Sequence, residues 1–220
     1  IVFTAFSSTE SLRYMGDKNM GTKKLTKVIL RELTLDDVED RYQWCLDKEV
    51  TKHLNMPDQY PPFSREETLN WIKMCIEKTN GYEQKAIVTE QGKHIGWIDL
   101  KNIDKLNKHA ELGIAIRDKN YWGKGYDYLQ CKKLLWGFNE LDLNKIWLRV
   151  EVDHERAIKS YKRMGFVEEG ILRQDRLRKG EFVDRLRMSI LKDEFFSKRA
   201  NRTLFEIRLD ATFMRMRMTL

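Results

Sequence analysis

Proline is nearly missing from this chain. Its 220 residues hold three, all between Asn55 and Phe63, so that stretch reads as an irregular loop and the remainder is free for regular structure. Cysteine is as scarce. Cys45, Cys75 and Cys131 share no metal or redox spacing, and each falls in an apolar helical pattern. That predicts reduced core thiols and a cytoplasmic protein. The four histidines show no ligand spacing, so no metal is expected. No run of about 18 apolar residues exists, and the N-terminus lacks a signal-peptide core, which argues against membrane spanning and export. Two phosphate-binding signatures are also missing: the P-loop and the third glycine of the dinucleotide fingerprint.

Charge of one sign is less abundant than the total suggests. Of the net +7, residues 198–220 supply six basic and two acidic side chains, whereas residues 1–20 balance at two of each. The basicity belongs mainly to a tail, so no nucleic-acid partner is expected.

What is present is an ordinary soluble composition, 41% hydrophobic and 34% charged, in a chain long enough for one core. Residues 1–19 lack periodicity, and Met20 looks like a start, so 1–19 read as a non-native or disordered extension. Residues 20–196 read as the domain and 197–220 as a Met-rich tail of the same kind as the first extension. Val28-Ile29-Leu30 predicts a first strand. Thr34 is expected to cap a helix with Val38, Tyr42 and Cys45 on one face. Ser64-Arg65-Glu66-Glu67 is a capping box, opening a helix with Leu69, Ile72, Cys75 and Ile76 inward. Strands are expected over Ala86–Val88, Ile95–Leu100, Ala110–Ile116, Ile146–Val150, Phe166–Leu172 and Phe182–Ile190, and a helix over Glu155–Met164.

The chain is organised around Asn120-Tyr121-Trp122-Gly123-Lys124-Gly125-Tyr126. An apolar strand, Leu112–Ile116, precedes it. A helix follows, with apolar residues at Tyr128, Cys131, Leu134, Leu135 and Phe138. Glycines between strand end and helix start leave unpaired N–H groups at the positive end of a helix dipole, a fit for phosphate.

That segment and a second one together resemble the GNAT superfamily of acetyl-CoA-dependent N-acetyltransferases. Residues 120–125 match its pyrophosphate signature Gln/Arg-x-x-Gly-x-Gly/Ala except at the first position. Residues 154–166, from His154 through Ala157 and Tyr161 to Gly165-Phe166, match Asn-x-x-Ala-x-x-x-Tyr-x-x-x-Gly-Phe with His for Asn. The closing segment, Gly170 to Met188, is similar to the ribosomal-protein alanine and spermidine acetyltransferases. The resemblance covers Leu25 to about Phe195. It implies an α/β (α+β) fold: a mixed, mostly antiparallel sheet of about six to seven strands, splayed at the centre and flanked by about four helices.

The resemblance implies acetyl-CoA as co-substrate and no metal. It places Ile114, Ala115 and Ile116 against the pantetheine and thioester, and Trp122, Gly123, Lys124, Gly125, Tyr126 and Asp127 around the pyrophosphate. His154, Ala157, Lys159 and Tyr161 would complete the cofactor site. Direct attack by an amine passes through an oxyanion and expels a thiolate. Tyr161, a phenol of ordinary pKa about 10 against about 8.5 for a thiol, is able to protonate that sulfur, or else is a core aromatic. Glu111 either accepts the amine proton through water or is a salt-bridged strand carboxylate; His109 and His154 are weaker bases. Asp127 stands where the family usually has Gly or Ala and would compete with the pyrophosphate for the helix dipole. The acceptor implied is an amine: a polyamine, amino sugar, antibiotic or protein N-terminus. The 55–63 loop and Arg173–Asp184 would frame it. Asp58, Glu168, Glu169, Asp175 and Asp184 either attract a cation or are simply solvated. A homodimer is allowed by the resemblance but not required. The rival reading is a non-catalytic acyl-CoA-binding or sensor module on the same fold.

Overall fold

A computed structural model describes residues 28–198 except 55, 58, 80 and 125; of Asp127, Tyr128 and Cys131 it describes the backbone alone. The expected extension 1–19 and nearly all of the tail lie outside the described residues. The chain runs β1 (Val28–Arg31), α1 (Asp37–Leu46), α2 (Lys48–Thr51), α3 (Arg65–Ile76), β2 (Glu83–Thr89), β3 (His94–Asp104), β4 (His109–Ile116), α4 (Asp127–Glu140), β5 (Lys145–Glu151), α5 (Glu155–Met164), β6 (Val167–Arg178) and β7 (Glu181–Leu191). A further helical stretch spans 192–198. No helix among the described residues is long and apolar enough to cross a membrane.

The seven strands form one sheet in the order β1-β2-β3-β4-β5-β7-β6. Neighbours are antiparallel except β4 and β5, which the crossover helix α4 makes parallel. That parallel pair is short: His109↔Lys145, Ala110↔Ile146 and Glu111↔Trp147. Beyond it β4 stays paired with β3 as far as Ile116↔Gly96, and β5 with β7 as far as Glu151↔Arg185. The two central strands therefore part after Glu111. Gly113, Ile114, Ala115 and Ile116 on the open edge are all partly exposed.

Strand alternation sends one set of side chains to each face. Ile98 and Leu100 meet Leu134 and Phe138 of α4 in the larger core, which Met188, Ile190 and Phe195 close. Leu33, Ile72, Cys75, Ala86 and Val88 form a smaller core on the other face, with Val38 and Trp71 packed on it. The capping box of α3 forms as expected, Ser64 Oγ accepting from Glu67 N at 3.1 Å and Glu67 Oε2 from Ser64 N at 2.7 Å.

Three expectations need correction. Thr34 does not cap α1; its own N–H donates to Asp37 Oδ2 at 2.9 Å, and Asp36 holds the cap position without a side-chain bond. Ile76 is 42% exposed and Thr68 takes the inward position, because α3 rests on the small core through Ile72 and Cys75. β6 does not stop at Leu172 but continues to Arg178, since pairing with β7 resumes after an irregularity between Leu172 and Arg176.

Asp37 is 2% exposed and ties the first strand to α1. Arg31 donates to both its oxygens, at 2.6 and 2.7 Å. Burial alone would raise its pKa, but Arg31, His94 and the Thr34 N–H outweigh that and hold the carboxyl well below the usual range. A depressed pKa means stability present above the unfolded value near 4 and lost as pH falls. Asp37→Asn should cost about 3 kcal/mol at neutral pH, leaving Arg31 without its partner. Urea melts against pH should then show a shallower acid limb than the native chain. An unchanged acid limb would mean that other carboxylates set it.

Candidate active site

After β4 the chain makes a short 3-10 turn, Lys119–Tyr121, held by Asp118, whose side chain accepts from Asn120 N at 2.9 Å. Trp122 Nε1 donates back to Ile116 O at 2.8 Å, pinning the turn to the strand end. Gly123 has φ +70°, and a Cβ built there would meet no heavy atom within 4 Å. Its backbone suits glycine, and the space above it is open. α4 begins at Asp127, and Tyr126 at its N-cap makes no side-chain cap bond, so among the described side chains none caps its first-turn N–H groups. A phosphate fits such an end. Lys124 Nζ lies 4.7 Å from the Tyr121 ring. Tyr126, expected at the cofactor, has its ring in the larger core. Gly125 and the side chain of Asp127 lie outside what is described.

The second sequence segment comes to the same place. Arg156 of α5 stacks 5.3 Å over Trp122, and Gln130 Nε2 of α4 donates to Ser160 Oγ at 3.3 Å. His154 takes the N-cap position of α5 without a side-chain cap bond. Its ring stacks on His53 at 4.2 Å. Burial, then the charges of His53 and Arg156, push its pKa down to about 4, so it is neutral at neutral pH. Ala157 and Tyr161 pack half-buried against the larger core, Tyr161 edge-on to Phe166 at 5.8 Å. Lys159 is exposed and pairs with Glu155 at 3.0 Å.

Glu111 is 5% exposed and fully engaged. Arg149 Nη2 donates to its Oε2 at 3.0 Å and Asn102 Nδ2 donates to the same oxygen at 2.8 Å. The ion pair with Arg149 is therefore present at the start of the parted strands. Among the surface carboxylates, Glu168 pairs with Lys162 at 2.7 Å, Glu169 with Arg187 at 3.1 Å, and Asp175 with Arg185. Asp184 accepts from Gln174 N at 2.7 Å. Asp58 lies outside the described residues. β6 does reach the segment before the 55–63 loop, because Arg176 donates to His53 O and Leu54 O.

Several groups here were invisible to spacing. Glu151, at the end of β5, is buried and takes Arg176, Arg178 and His53 Nδ1. His53, Glu151 and Asp153 stand close enough to share an ion, as do Asp37, Asp40 and His94, although guanidinium groups already meet Glu151 and Asp37. Asp99 and Trp97 of β3 lie beside the parted strands. Their alternation with Ile98 and Leu100 was the available signal.

Comparison with known proteins agrees with this geometry. The acetyltransferase (GNAT) domain matches residues 27–167. The uncharacterized N-acetyltransferase p20 of Bacillus licheniformis is 30% identical over 177 residues, 80% of this chain and 99% of that protein. The spermidine N(1)-acetyltransferase of Vibrio cholerae is 32% identical over 118 residues, 53% of this chain and 68% of that one. A solved structure of a Vibrio cholerae spermidine N-acetyltransferase, in complex with CoA and spermine, superposes with a TM-score of 0.69 at 27% identity, covering 77% of this chain and 98% of that one. Sheet order, parted central strands and the glycine turn thus accompany a family match over most of the domain, and the chain belongs to the GNAT acetyltransferase family.

Proposed function

We propose that the protein moves an acetyl group from acetyl-CoA to a primary amine by direct attack in a ternary complex. One observation carries the reading: β4 leaves β5 after Glu111↔Trp147, beside the start of α4 and the open Gly123 turn. Bound acetyl-CoA supplies the activated acyl carbon and a thiolate leaving group. The turn and the first N–H groups of α4 hold the pyrophosphate. The open edge of β4, residues 112–116, offers backbone groups to the pantetheine arm. An N–H there stabilises the charge that grows on the acyl oxygen. As the amine nitrogen bonds to the acyl carbon, the C–S bond breaks and Tyr161 protonates the sulfur. Because Glu111 is held by Arg149 and Asn102, it takes up the amine proton only through water. The spermidine-acetylating relatives make a polyamine one acceptor to test, beside amino sugars, antibiotics and protein N-termini.

The test is release of free thiol from acetyl-CoA across these amines, together with melting. At 100 times its Kd, acetyl-CoA should stabilise the native chain by about 2.7 kcal/mol. Gly123→Val should lose that gain, since its side chain fills the open space and its φ is unfavourable. Equal stabilisation of both proteins would remove the turn from the site.

A further inference from the structure

On the face of the sheet covered by α1 and α3, the side chains of Trp97 and Asp99 stand beside Ala115 and Gly113, their register partners on the open edge of β4. Two guanidinium groups lie against Trp97, Arg41 and Arg117, each 4.4 Å from its ring. Arg41 also lies 5.2 Å from Trp71. Neither arginine has a carboxylate within ion-pair distance among the described residues. Arg117 is 3% exposed; its Nη1 donates to Val50 O at 2.9 Å, and its Nε has no partner. Trp71 Nε1 and Asp99 Oδ1 are likewise buried without a partner among the described residues. Buried polar atoms are nearly always hydrogen-bonded, so each of these atoms on the Trp97 face remains available to a polar ligand. Trp97, Gly113 and Ala115 are partly exposed, so the group opens toward the parted strands.

The charges give that ligand its chemistry. Burial, with Arg41 adding its charge, pulls Arg117 down to about 9, which still leaves it a cation at neutral pH. Two cations flanking one indole without a counter-ion call for an anion, and guanidinium forks match carboxylates. A polycation would meet both guanidiniums head-on. Two other carboxylates at the ends of the central strands, Glu111 and Glu151, already pair with arginines.

We propose that Arg41 and Arg117, across Trp97, form a carboxylate subsite, so that the acceptor is an amine that also carries a carboxylate, its amine facing Asp99 and the open edge of β4. This rests on the acetyltransferase reading and names its substrate class. Ala115 and Gly113 precede Arg117 by two and four strand residues, roughly 7 and 13 Å at about 3.3 Å each. An amine several bonds from its carboxylate, as at the end of a lysine side chain, spans that interval better than an α-amine does.

Calorimetric titration of the CoA-loaded protein with matched pairs differing by one carboxylate, lysine against cadaverine and ornithine against putrescine, tests this without requiring turnover. The carboxylate member of at least one pair should bind about 10-fold or more tightly. Arg41→Met should erase that preference and Arg41→Lys retain part of it, in proteins whose melting stays cooperative. Thiol-release kinetics should show the difference in KM rather than kcat. Lack of preference for the carboxylate member in every pair, or tighter binding of spermidine, overturns the proposal even if amines are acetylated. Carboxylate preference without thiol release from any amine would instead overturn the transferase reading and leave the subsite standing.

Discussion

Tyr161→Phe is expected to lower kcat by about 10²–10⁴-fold, the range that general acid catalysis supplies. The substitution keeps the ring, and with it the packing against Phe166 and the larger core. Melting temperature and acetyl-CoA affinity should therefore barely change. A purely structural tyrosine predicts near-native turnover, since phenylalanine keeps the packed ring. Because α5 is anchored to the glycine turn through Arg156 on Trp122, moving the helix would disturb cofactor binding as well. Measuring kcat, KM for acetyl-CoA and melting on one preparation separates the two cases. Native kcat in the phenylalanine variant would return Tyr161 to the core.

The second large effect is expected at a backbone contact on β3. Gly96 lies on β3 opposite Ile116, where the last pairs of β3 and β4 are made. A Cβ at Gly96 would sit 2.1 Å from Ala115 O and 3.0 Å from Ile116 Cα. Both are backbone atoms of the strand whose other edge is open, so no side chain can swing away to relieve the clash. Gly96→Ala should cost about 3 kcal/mol, the upper part of the usual range for overpacking. In a domain of this size that corresponds to a melting temperature lower by about 6–12 °C. Any folded fraction should also show weaker acetyl-CoA binding, because relief of the clash displaces Ala115. Native stability and affinity in the alanine variant would show that the two strands have slack here.

Local patterns carried much of the fold. The helix expected over Glu155–Met164 has those bounds, and Gly165 ends it at φ +101°. The capping box at Ser64 and the glycine turn before α4 were equally legible, because each is satisfied within a few residues. The partner of Glu111 was not. Arg149 lies 38 residues away, and only the three-pair contact of β4 with β5 brings the two together. β6 was under-read for the same reason. Its distal half is polar, and Arg176 and Arg178 hold it by reaching back to Glu151.

By itself the sequence determined the order of the seven strands and the four longer helices, the glycine turn at a helix start, and the two segments that mark the family. These follow from backbone preference and periodic burial, which act over one turn of helix or a few residues of strand. Only the tertiary structure decided where the central strands part and which carboxylates are neutralised. It alone set Arg41 and Arg117 against Trp97 with no counter-ion among the described residues. Those outcomes depend on the distance between charges far apart in the chain. Coulomb attraction and desolvation change steeply with that distance, and no local pattern encodes it.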